Sequence, residues 1–314
     1  LALALPLAAL LAITTTAAPG AAHTASPPAP PPAPATIGAS QRPAMLPIAI
    51  GDDATYGCVD DGRVCLSLIT ADGQSLPNLP DVAGDAMARQ VRLALRGSGA
   101  ADGAPRIIDL PLPQSLTGQE LGIWPQVIAV AGPAPSLTRL LIGLTIHESA
   151  GYSGGGAFAR HVALLPLTIS DDGITLGRDM LIVPVEAEKM IRACFNEQDI
   201  RNRRGLCHDD YSYTAQLAIA PTSGGAAGAT TAAAVAPGAA ATWPDLVYST
   251  VAMARPGFAR LSNDSLDHAR LTRAEMQPAR DPNCSYTRTL RFNPVTGRYE
   301  FDQPGPDCAD YTSP

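Results

Sequence analysis

Apolar positions along this chain recur with period two far more often than with period 3.6. Val91, Leu93 and Leu95 alternate with Arg92, Ala94 and Arg96, and Tyr211, Tyr213, Ala215, Leu217 and Ile219 alternate in the same way. Such alternation sends successive side chains to opposite faces of a strand, one buried and one wet. Residues 126–131, 140–146, 161–169 and 180–185 are instead continuous apolar runs bounded by Gly, Pro, Asp or Ser, the pattern of central strands covered on both faces. Residues 186–195, just after Pro184, carry enough helix formers to predict one short helix. About ten strands, with turn signals every ten or so residues, predict an all-β fold: an antiparallel sandwich or barrel with at most one or two short helices. The sequence shows no internal repeat.

The ends of this pattern set the domain organisation. Residues 1–13 are Leu, Ala, Ile and one Pro, followed by small residues up to Ala22, which reads as the apolar and cleavage regions of a secretory signal. The run is shorter than the roughly 20 apolar residues a spanning helix needs. The absent initiator Met and basic leader are expected to reflect a truncated start, with no transmembrane segment left after cleavage. Residues 23–44 are dominated by Pro and Ala and predict an extended linker with nothing to bury. Residues 45–314 remain for the folded part. Within it residues 221–242 are Ala, Gly, Thr and Ser with almost no large side chain, which predicts a low-complexity loop in a β connection.

Six cysteines fall into neighbouring pairs, Cys58 with Cys65, Cys194 with Cys207 and Cys284 with Cys308. Asp61-Gly62 is a strong hairpin turn; counting outward from it, Val59 faces Val64 and Cys58 faces Cys65, within disulfide reach. Cys284 and Cys308 are nearly symmetric about the turn at residues 293–297, flanked by alternating Tyr286, Arg288, Leu290, Phe292 and then Tyr299 and Phe301. Six cysteines allow fifteen connectivities, of which the three local disulfides fit these hairpins best. A metal site would call for C-x-x-C spacing or clustered His, and neither occurs. Disulfides of this kind predict a periplasmic or extracellular location.

Net charge is −7, and Lys189 is the single lysine. No basic run interleaved with aromatics is present, so nucleic acid is not an expected partner. No cofactor motif is present.

Gly151-Tyr152-Ser153-Gly154-Gly155 fits the G-x-S-x-G nucleophile elbow of α/β-hydrolases. A triad in that order would take Ser153, an acid such as Asp245 or Asp209, and His268. Against it stand the polar residues 147–150 where a buried strand is required, Pro166 soon after, and the missing strand–helix alternation. The competing reading is a Gly-rich connection between two strands. Cys207-His208-Asp209-Asp210 gathers groups able to bind metal or move protons, though such residues also solvate turns. Asp52-Asp53, Asp60-Asp61 and Asp171-Asp172 sit at turn positions and lack calcium-loop spacing. Arg201, Arg203 and Arg204, inside the span from Cys194 to Cys207, make a candidate binding tip on a disulfide-bounded loop.

The segments from Met190 through Cys194 to Tyr211, and from Asp281 through Cys284 to Tyr311, resemble uncharacterised secreted proteins of proteobacteria. The resemblance covers about the last 130 residues; it implies export and the same cysteine pairing, and it assigns no activity. The expectation is an exported β domain that binds a ligand or an envelope partner; the alternatives are a serine hydrolase using Ser153 and a structural envelope protein.

Overall fold

The computed structural model describes residues 43–51, 54–59, 62, 64–70, 73–74, 88–96, 105–131, 138–170, 172–221, 243–257 and 270–314. The signal-like and linker segments up to residue 42, Asp52-Asp53, Asp60-Asp61, Asp171, the Ala/Gly-rich stretch 222–242 and His268 lie outside the described residues.

Two antiparallel sheets carry the fold. The smaller is a meander of β2 (Ala49–Ile50), β3 (Tyr56–Val59), β4 (Val64–Ile69), β5 (Gln90–Leu95) and β6 (Arg106–Pro111) in that order. The larger runs β1 (Ala44–Pro47), β7 (Glu120–Ala131), β8 (Thr138–Tyr152), β9 (Gly155–Ser170), β11 (Leu181–Arg192), β12 (His208–Ile219), β13 (Leu246–Arg255), β15 (Thr287–Asn293) and β16 (Arg298–Phe301). Short β10 (Gly173–Leu176) pairs with β9, and β14 (Ala279–Arg280) pairs with β13. The strand total exceeds the expected ten because strands as short as β2 and β14 are too brief to show alternation.

All three cysteine pairs are disulfides. Cys58 stands opposite Cys65 in the β3–β4 register. Cys194–Cys207 closes the end of the β11–β12 pair, where the Ala193 N–H donates to the Cys207 carbonyl. Among the described residues no helix is long and apolar enough to cross a membrane.

The helix expected at residues 186–195 is absent; residues 186–192 are the second half of β11 and residues 193–195 lead out of it. Its backbone is claimed on both sides, by β9 and by β12, and cross-strand pairing overrides a weak helix propensity. The helix of this region is one turn further on, α1 (Glu197–Asn202), with Asn196 and Asp199 forming a capping box. Pro184 stands at a bulge in the β9–β11 register, a place where a missing N–H costs least.

The bulge divides the large sheet. β12 pairs with β11 only from Glu186 onward, whereas residues 215–219 of β12 pair with β13 alone. Before the bulge the two parts separate and pack face to face: Ile128, Leu141, Val162, Leu164 and Val183 meet Leu217, Leu246, Tyr248, Leu290 and Tyr299. On the other side of β8 and β9, Leu140, Ile142, Leu144 and Leu165 pack against Leu66, Leu68, Val91 and Leu93 of the small sheet. Residues 140–146 of β8 are thus buried on both faces, as their continuous apolar run predicts. Past the bulge, the outer ends of β8, β9, β11, β12 and β13 continue as a single layer.

Candidate functional site

Among the described residues, that single layer is covered on one face only. Tyr211 and Tyr213 of β12, Ala252 and Ala254 of β13, Ala187 of β11 and Ala159 of β9 are buried beneath the C-terminal segment, which contributes Cys284, Cys308 and Tyr311. Small alanines let this segment approach, and Tyr311 of α2 (Ala309–Thr312) sets its ring edge-on to Tyr211 at 5.8 Å between centroids. The Cys284–Cys308 disulfide and the Thr250 hydroxyl, which donates to the Cys284 carbonyl at 2.8 Å, hold the segment in place.

Strand alternation sends the intervening residues to the opposite face. The register aligns Phe158, Glu188, Ser212 and Met253 in one row across four strands. Gly156, Met190, Asp210 and Arg255 form the next. With Ala150 and Pro278 these rows line an open groove of about 670 Å³. Glu188, Met190 and Arg255 are exposed, while Phe158, Asp210, Ser212 and Met253 are half-buried. On its inner side the groove meets a third row, Glu120, His147, Arg160, Glu186 and Thr214. Arg160 and Glu186 form an ion pair at 2.9 Å. His147 shares a hydrogen bond with the Thr145 hydroxyl at 3.0 Å. Burial, aided by Arg160, lowers its pKa against the opposing pull of Glu120 and Glu186, which keeps the imidazole neutral at pH 7. The groove therefore offers an apolar strip of Phe158, Met190 and Met253 between Glu188, Asp210 and Arg255.

Ser153 lies with Gly154 in the two-residue turn between β8 and β9, where Tyr152 pairs with Gly155. The strand that follows is antiparallel, so the strand-to-helix geometry of an elbow is not present. The glycines have structural reasons instead. Gly154 has φ +91°, and a side chain on Gly155 would collide with the Met190 carbonyl. The Tyr152 hydroxyl clamps the turn by donating to the Gly156 and Met190 carbonyls. Asp245 precedes β13 at the other end of the sheet, about 30 Å of strand away from Arg255, and lies 3.9 Å from Arg291. Ser153 and Asp245 are not brought together.

Asp209 is buried and ion-paired with Arg203; burial raises its pKa and Arg203 opposes that. Arg203 also donates to the Leu206 carbonyl, and Arg204 to the Leu271 carbonyl. Arg201 pairs with Glu197 on the exposed face of α1. Two of the three candidate binding arginines thus tie the loop together. Among the described residues no His, Cys, Asp and Glu cluster is arranged to hold a metal.

Apart from Asp210, which belongs to the Cys207-His208-Asp209-Asp210 cluster, the groove residues are absent from the sequence-based candidates. Their one signal is the polar half of the β12 alternation, Asp210, Ser212 and Thr214, whose neighbours are known only once the register is. Comparison with family models, with curated proteins and with solved structures finds no match.

Proposed function

We propose that this is an exported β domain that acts by binding, and that the open groove across β9, β11, β12 and β13 takes a small amphipathic ligand. The observation that carries this reading is the face left open among the described residues: a disulfide-anchored segment covers one side of the layer, and the other side holds Phe158, Met190 and Met253 beside charged residues. Its volume falls in the range of about 300–1,000 Å³ typical of small-molecule sites. The ligand's apolar body lies along Phe158 and Met253, and its polar head reaches Glu188, Asp210 or Arg255. Three disulfides support an oxidising location, periplasmic or extracellular.

Titration with the neutral apolar dye Nile red tests the site. The wild type is expected to bind it saturably with enhanced emission, and Met253→Arg to weaken binding about tenfold, the loss of roughly one large side-chain contact. Equal binding by Met253→Arg and wild type would remove the groove as the site.

A further inference from the structure

Resting on the groove as the ligand site, we infer that its occupant is a short apolar peptide with free termini, held by its ammonium at Glu188 and Asp210 and by its carboxylate at Arg255 and Arg280.

The charges facing the groove are sorted by strand. The row of Phe158, Glu188, Ser212 and Met253 extends one strand further, to Arg280, which stands opposite Met253 in the β13–β14 register. Together with the row of Gly156, Met190, Asp210 and Arg255, this places the acids on β11 and β12 and the bases on β13 and β14. Asp210 and Arg255 are directly opposed, yet none of the four charges makes an ion pair or a side-chain hydrogen bond among the described residues. Neighbouring charges are engaged or turned away. Arg160 is paired with Glu186, the Arg192 Nε donates to the Cys194 carbonyl at 2.8 Å, and Glu275 accepts from the Thr272 N–H at 2.7 Å. Strand alternation sends Lys189 to the covered face with Ala187. Glu120, on β7, lies on the acidic side.

Two acids and two bases cancel as net charge, so the groove gives no general preference for a cation or an anion. Their separation favours a ligand that carries both signs at a matching distance. Adjacent strands are about 4.8 Å apart, which sets β11 and β13 about 10 Å apart. An extended tripeptide spans about 10 Å, a distance that the compact head of a zwitterionic lipid does not reach. Phe158, Met190 and Met253 take the apolar side chains. The half-buried Ser212, between the acids and the bases, has no partner for its hydroxyl among the described residues and is free to meet a peptide amide.

The test is displacement of Nile red from the full chain by leucyl-alanyl-leucine with free ends, with an acetylated amino end, with an amidated carboxyl end, and with both ends capped. In the wild type each single cap is expected to raise the displacing concentration about fivefold, the upper end for a solvent-accessible ion pair. In the double variant Glu188→Gln, Asp210→Asn acetylation should cost nothing while amidation keeps its effect. In Arg255→Gln, Arg280→Gln the reverse should hold. Each protein is read as a ratio of capped to free peptide, so a change in dye affinity does not mimic the result. Wild-type protein that binds Nile red but releases it equally to free and doubly capped peptide, or only to dodecylphosphocholine, would overturn this inference and leave the groove as a site for another amphiphile. Wild-type protein that binds no Nile red would instead remove the groove as the ligand site, and this inference with it.

Discussion

The inner and outer halves of β8, β9 and β11 are the same strands in two different surroundings. Inside the bulge at Pro184, β8 is buried on both faces between two cores, and residues 140–146 are apolar without interruption. Outside it the same strand runs His147, Glu148, Ser149 and Ala150, because one cover has been withdrawn. The difference teaches where function can reside in such a molecule. A layer with two covers can only be packed, whereas a layer with one cover keeps a face for a ligand while the other supplies the stability.

This comparison predicts unequal mutational costs. Leu164→Ala, at a fully buried site between β9 and the β12–β13 layer, should destabilise by about 2–5 kcal/mol in chemical denaturation. Met253→Ala, on the open face, should cost less than about 1 kcal/mol. Equal costs would mean that the outer face is covered after all. Replacing Cys284 and Cys308 together by Ser should cost about 2–4 kcal/mol by loosening the one cover that the outer layer has.

A smaller effect is expected from pH. His161 is half-buried on β9, its Nδ1 has no hydrogen-bond partner among the described residues, and burial lowers its pKa below 6.5 against the opposing pull of Glu148. A histidine depressed in the folded state leaves the unfolded chain binding more protons below pH 6.5. Stability should therefore be complete above about pH 6.5 and fall as the pH drops from there toward the folded-state value. Thermal melts of His161→Phe should show a flatter pH profile, with His147 and, at lower pH, Asp109 contributing to the remaining slope. The smallest effect is expected at Ser153: Ser153→Ala, at an exposed turn, should change stability by less than about 0.5 kcal/mol. Fluorophosphonate should not label the wild type at Ser153, and stoichiometric Ser153-dependent labelling would instead favour the hydrolase reading.

Most of the architecture was legible in residues because it rests on local rules. Period-two alternation gave β5 and β12, continuous apolar runs gave the doubly covered stretches of β7, β8 and β9, and the Asp-Gly turn gave the Cys58–Cys65 register. The helix placed at residues 186–195 failed because helix propensity is a short-range preference, while β11 is fixed by two long-range partners. The groove was illegible for a related reason. Phe158, Glu188, Ser212 and Met253 are 95 residues apart from first to last and become neighbours only through three successive registers. Arg201, Arg203 and Arg204 read as a cluster in sequence, but folding turns Arg203 inward to Asp209 and leaves Phe195, which carries no motif, facing outward.

Hydrogen–deuterium exchange with and without saturating Nile red tests the one-cover account most directly, since it reports which backbone is shielded. Slowed exchange confined to residues 156–158, 188–190, 210–212 and 253–255 is the predicted result. Slowing centred on the small sheet, or on the segment around Cys284 and Cys308, would contradict it.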